Sequence, residues 1–168
     1  SFFTNHMVRQ YWEQGAHIVL VDTGNSYKGL CELIHSKTRG EDGIYFTYTD
    51  TEPITFNPFY TEDGLFDIEK RESIKTLILT LWKRDDEPPS RSEEVALSNA
   101  VNLYLEHIGR HPEHKPSFNG FYRFVGRDYR RLLRQKNVRE KDFDIDNFLT
   151  VLEPYYEGGE YDYLLNSD

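Results

Sequence analysis

A carboxylate at the end of an apolar run is the first group in this chain whose placement suggests chemistry. Ile18-Val19-Leu20-Val21 leads directly into Asp22, and the turn Thr23-Gly24-Asn25-Ser26-Tyr27 follows. Such a run predicts a strand buried on both faces of a parallel sheet. Ligands gather at the carboxyl ends of those strands, which makes Asp22 a candidate nucleotide-binding residue. An Asp-Thr-Gly turn has an equally good use for the same side chain, with no ligand at all. Ser1 is the second candidate. It heads an amphipathic segment, the place where a phosphate-binding loop Gly-x-x-x-x-Gly-Lys-Ser/Thr sets its Mg²⁺-binding hydroxyl. No such loop occurs within the 168 residues. Ser1 as a plain N-cap is the alternative reading. The acidic strand that orients Mg²⁺ in such enzymes is also missing, because no apolar run ending in Asp-Glu follows residue 22. No residue is therefore named as catalytic.

Other residue groups were weighed for chemistry. His107, His111 and His114 form His-x3-His-x2-His, and on one continuous helix the first two would share a face fit for zinc. Gly109 and Pro112 interrupt that helix, so the reading is a solvated helix end and no metal site is expected. Asp144 and Asp146 bracket a helix start and read as caps. Cys31 has no basic neighbour to lower its pKa and reads as a structural thiol. Tyr155, Tyr156, Tyr161 and Tyr163 suit core packing or a protein contact better than base stacking in acidic surroundings.

Composition narrows the classes. A formal net charge of −9 opposes a nucleic-acid clamp, since phosphates would be repelled at long range. The charge is uneven. Residues 127–141 carry seven basic and two acidic side chains, whereas 142–168 carry eight acidic and no basic ones. The first reading is two solvated faces, the second a subunit contact, and no direct nucleic-acid binding is expected. One cysteine rules out an internal disulfide, and a reducing compartment is the default. No apolar run reaches bilayer-spanning length.

The elements that position these groups follow from periodicity. Phe3, Met7 and Tyr11 predict a helix over 1–14, stopped by Gly15. Strands are expected at 18–22 and 43–49, with a Ser26-capped helix over 26–36 between them. Helix, strand, helix, strand is the rhythm of an α/β unit. Asn57-Pro58-Phe59 is a fixed corner. The rest reads as helical. Asp67 caps a helix to about residue 82, and Ser90 with Glu93 forms a capping box before a helix to about 108. Residues 118–136 are helical with an interruption near Gly126. Asp144 or Asp142 caps a last helix to about 156, and 161–165 is a short strand or helix. The division is 1–60 and 61–168.

Ser1-Phe2-Phe3 entering a helix, the segment Ile18 to Tyr27, the distant Phe56-Asn57-Pro58-Phe59 and Asp144-Ile145-Asp146-Asn147-Phe148 together resemble the ATPases of type IV secretion and conjugative DNA transfer. The likeness is greatest to the TraG-type ATPase of conjugative transposons and spans essentially the whole chain. The resemblance implies an α/β, helix-rich fold: an incomplete RecA-like P-loop core over 1–60 and a helical insertion over 61–168. It implies a parent that hydrolyses ATP with Mg²⁺, as a ring (often a hexamer), together with other secretion-channel proteins. Such a parent works in the bacterial cytoplasm, at the cytoplasmic face of the inner membrane. It powers DNA or protein transfer and pilus assembly. Ser1 then matches the hydroxyl that closes the phosphate loop, and Asp22 the acidic end of the second core strand. The chain is expected to be an internal fragment, inactive by itself and without cofactor. The alternative from another class is a non-enzymatic helical interaction module.

Overall fold

The computed structural model describes residues 2–47, 49, 53–84 and 86–167. The chain divides into two compact units, Ser1–Glu52 and Pro53–Asp168.

In the first unit, α1 (Phe2–Glu13) ends where the sequence places its stop: Gly15 takes φ +84°. Only a residue without Cβ adopts that angle freely. The Gly15 N–H then reaches the Trp12 carbonyl and the Ala16 N–H the Tyr11 carbonyl, closing the open helix end. The second helix, α2 (Lys28–Lys37), starts later than expected, and Ser26 does not cap it. Only Ile34 of this helix is fully buried.

The expected helix-strand-helix-strand core is corrected here. Among the described residues there is no strand and no sheet, so no RecA-like arrangement exists in them and the fold is helical rather than α/β. Residues 16–22 and 43–47 carry no regular structure. The reason is physical. Apolar runs favour strands, but a strand exists only through ladder hydrogen bonds to a neighbour. No described segment supplies that ladder. Val19 and Val21, expected to be buried, are 92% and 96% exposed.

The second unit holds five helices among its described residues: α3 (Ile68–Trp82), α4 (Arg91–Arg110), α5 (Phe118–Phe124), α6 (Arg130–Gln135) and α7 (Ile145–Leu152). Their starts follow the local signals. Asp67 accepts from the Lys70 N–H at 2.7 Å. Ser90 and Glu93 complete a reciprocal capping box, and Asp144 accepts from the Asn147 N–H at 2.9 Å. The interruption near Gly126 is a π-helical turn, Val125–Tyr129, that joins α5 to α6. The last helix gives way to a 3₁₀ turn, Glu153–Tyr155. Residues 161–165 form turns, neither strand nor helix, that bury Leu165.

Spacing at i, i+4 and i+8 puts Ile74, Ile78 and Trp82 on the buried face of α3. Trp82 meets Phe143 and Phe148 edge-on and donates from Nε1 to Asn147 Oδ1 at 3.0 Å. Next to it, Lys83 Nζ sits 2.7 Å from Glu93 Oε1, tying the end of α3 to the start of α4. Burial pushes the Glu93 carboxyl up, but the Lys83 ammonium and the Ser90 donors outweigh it and hold it below the usual range.

The other half of the core is aromatic. Phe59 is fully buried, 5.2 Å from the Tyr104 ring and 5.5 Å from Phe121. Its corner is locked by Asn57, which donates to the Pro116 carbonyl at 3.0 Å and accepts from the Phe59 N–H at 2.9 Å. The Tyr104 hydroxyl donates to the Ser117 carbonyl and accepts from the Ser117 N–H, both at 3.1 Å. Gly120 lies against that hydroxyl, where a Cβ would collide with it.

Two stability experiments follow. In a helix, Gly→Ala ordinarily stabilises by about 0.4–1 kcal/mol. Gly109→Ala, with open space at its Cβ position, is expected to raise the melting temperature. Gly120→Ala is expected to reverse that sign and cost about 1–3 kcal/mol by forcing the Tyr104 hydroxyl off Ser117. Urea denaturation of both variants would show it, and equal stabilisation by the two would contradict the packing. The second experiment is acidification. Because the folded Glu93 pKa is depressed, its contribution is present above the unfolded value near 4.5 and lost as pH falls through the folded one. Melts between pH 6 and pH 3 should therefore show a steeper loss in the wild type than in Glu93→Gln.

Candidate functional site

In the first unit the candidate carboxylate closes its own turn. Asp22 Oδ1 accepts from the Gly24 N–H at 3.0 Å and Oδ2 from the Tyr27 N–H at 3.2 Å. The Gly24 N–H, against a smaller opposing effect of burial and with help from Tyr27, holds the carboxyl below its ordinary range. The turn is braced from two sides. Tyr45 donates to Asn25 Oδ1 at 2.5 Å, and Asn5 Nδ2 donates to the Ser26 carbonyl at 3.3 Å. Asn5 Oδ1 is buried without a hydrogen-bond partner among the described residues. Ser1, the other sequence candidate, lies outside the described residues. A cavity of about 240 Å³, lined by Val8, Trp12, Ile18, Leu20 and Ile34 among others, separates α1 from α2. Cys31 also lines it, and burial pushes this thiol up, away from nucleophilic use.

In the second unit the three histidines are brought together. The His107 and His111 rings lie 4.6 Å apart, and His114 is 5.8 Å from His111 and 6.4 Å from His107. His111 Nδ1 lies 3.2 Å from Glu113 Oε1. Even so, no group of three His, Cys, Asp or Glu among the described residues is arranged to hold a metal. Asp144 caps α7, while Asp146 pairs with Arg130 at 2.6 Å, and that guanidinium lowers its pKa. Arg139 does the same for Asp142. The basic stretch and the acidic C-terminal stretch thus meet within one unit. Tyr156 stacks on Tyr122 at 4.4 Å, and Tyr155 packs beside Tyr161 at 5.6 Å.

One feature was not anticipated from the sequence. A cleft of about 480 Å³ opens between the end of α4, the 111–117 loop and the α5–π segment. Its walls carry His107, His114, Lys115, Arg123 and Arg127. The spacing of Arg123 and Arg127 was a usable signal for one helix face. Lys115 and His114 join them only through the loop that Tyr104 holds. A wider neighbouring cleft of about 660 Å³, between Asn57, Tyr60, Asn119 and Asn166, shares Lys115 and Arg123. No helix among the described residues is long and apolar enough to cross a membrane.

Against known proteins, the family model of the TraG P-loop domain matches residues 1–168. No curated protein and no solved structure matches the chain. A match over the full length establishes the relationship: the chain belongs to the TraG P-loop domain family.

Proposed function

We propose that this chain is part of an ATPase that powers conjugative transfer, through a type IV secretion channel, of DNA or protein and the assembly of its pilus. The observation that carries this reading is the match of the TraG P-loop domain over residues 1–168. In the intact ATPase, ATP and Mg²⁺ are the cofactors. The Ser1 hydroxyl is proposed to coordinate Mg²⁺ at the close of the phosphate loop, and Asp22 to lie at the edge of the same nucleotide site. The parent is proposed to be a homo-oligomeric ring, with a hexamer as the expected form, working with other channel proteins at the cytoplasmic face of the inner membrane of a conjugative-transposon host. Residues 1–60 would belong to the nucleotide-binding part and 61–168 to a helical subdomain.

The chemistry of phosphoryl transfer limits what the chain does alone. Catalysis of this step is mostly positioning and charge stabilisation by loop N–H groups, a lysine and Mg²⁺. The 168 residues contain no Gly-x-x-x-x-Gly-Lys-Ser/Thr segment. Without that cradle the γ-phosphate is not held. A second reading, a helical interaction module, is favoured by the separate and well-packed core of residues 53–168. The two readings are compatible, since a motor subdomain also makes contacts.

The isolated chain is expected to release no phosphate from ATP above the buffer blank, and to show no Mg²⁺-dependent micromolar binding of ATP by calorimetry. In the intact parent, Ser1→Ala should lower kcat by at least about tenfold, the loss of roughly 1.4 kcal/mol of transition-state stabilisation. Mg²⁺-dependent turnover by the isolated chain, or a fully active Ser1→Ala parent, would overturn the assignment.

A further inference from the structure

The cleft at the end of α4 stands apart in an acidic protein. From the arrangement of its walls we infer that it is a binding site for a phosphorylated small molecule, recognised through its phosphoryl oxygens. This inference is independent of the proposed nucleotide site of the first unit, and it uses other residues.

Three observations support it. First, basic side chains reach the cleft from several walls: Lys115 from the loop, Arg123 from α5 and Arg127 from the π turn, with His107 of α4 and His114 of the loop as further N–H donors. Among the described residues neither Lys115 nor Arg127 makes an ion pair, whereas Arg130, Arg131 and Arg139 do. Second, the two carboxylates at the cleft face other partners. Glu113 lies 3.2 Å from His111, and Asp128 is 3.2 Å from Arg131. Arg123 contacts Glu157 at 3.3 Å, but both side chains are mostly exposed. Such a pair is weak and yields easily to a better anion. Third, the helix wall is distorted where Arg127 projects. A π turn at Val125–Tyr129 costs regular hydrogen bonding, and such turns concentrate at functional sites. Here the distortion is held in place by Tyr129, whose buried hydroxyl donates to the Ala96 carbonyl at 2.7 Å.

Ligand class follows from shape and donors. Guanidinium groups match phosphoryl oxygens in pairs of parallel hydrogen bonds, and lysine adds a point charge. A cleft of about 480 Å³ has the size of a small-ligand pocket rather than of an extended groove. The net charge of −9 opposes a long polyanion more than a small one, because the longer ligand brings more phosphates into that field.

The test is a titration of the whole chain with inorganic pyrophosphate in EDTA at low salt, followed by calorimetry and by amide NMR shifts. EDTA removes Mg²⁺, so any nucleotide chemistry of the first unit is silent. Saturable binding is expected, with shifts confined to amides around residues 107–127. The double variant Arg123→Gln/Arg127→Gln should weaken it by at least about tenfold. Arg91→Gln, an equal charge change per site on the far end of α4, should leave it within about twofold. All three positions are exposed, and circular dichroism will report retained helix. Shifts spread over the chain, an unchanged double variant, or equal loss in the Arg91→Gln control would overturn the site. A single-stranded oligonucleotide that competes at lower phosphate concentration than pyrophosphate would overturn the small-ligand assignment.

Discussion

The second unit turns on one buried hydroxyl. Tyr104 reaches from the middle of α4 to Ser117 and both gives and receives a hydrogen bond on that residue's backbone. Burial raises the Tyr104 pKa, with Ser117 opposing the effect only in part, so the hydroxyl stays protonated and keeps its donor. In a low-dielectric setting this pairing cannot be lost cheaply, because a buried polar group without a partner costs about 1–3 kcal/mol. Phe59 and Phe121 close around the same ring. The N-terminus of α5, the loop before it and the Asn57 corner all take their places from this contact.

Charge is settled on a smaller scale. The sequence separates a basic stretch from an acidic one, and the structure joins them through Arg130–Asp146, with Arg139–Asp142 at the junction and Arg123–Glu157 just outside the basic stretch. These are exposed pairs and contribute little stability each. They neutralise part of the positive charge of residues 127–141; Arg127, Arg134, Lys136 and Lys141 make no ion pair among the described residues, and of these four only Arg127 lines the cleft. The two charged stretches thus keep solvent-exposed side chains while a few of them pair.

Helix starts were legible because their signals are local. Asp67, Ser90 and Asp144 each satisfy N–H groups three residues away, so a window of four residues contains the whole interaction. The buried stripes of Ile74 and Ile78, and of Leu97, Val101 and Tyr104, were legible for the same reason. Gly126 marked the π turn. The strands were not legible. Ile18 to Val21 has the right composition, but a ladder is a relation between two segments, and composition describes only one. Ser26 misled as a cap because the helix begins at Lys28, with Tyr27 at the N-cap position and no side chain capping it. Of the candidate site, Asp22 was readable as a turn carboxylate. The cleft was not, since its walls come from residues 107 to 127 on three elements.

The sequence alone determined where α3, α4 and α7 begin, that Gly15 stops the first helix, and which family the chain resembles. Those properties rest on contacts within a few residues or on the order of residue types. Tertiary structure alone decided that the apolar run before Asp22 stays unpaired among the described residues, that three histidines converge, and that Lys115 meets Arg123 and Arg127 around one opening. The first depends on a ladder that only a second segment could supply; the other two depend on how the 111–117 loop, held by Tyr104 on Ser117, turns back beside α4 and α5.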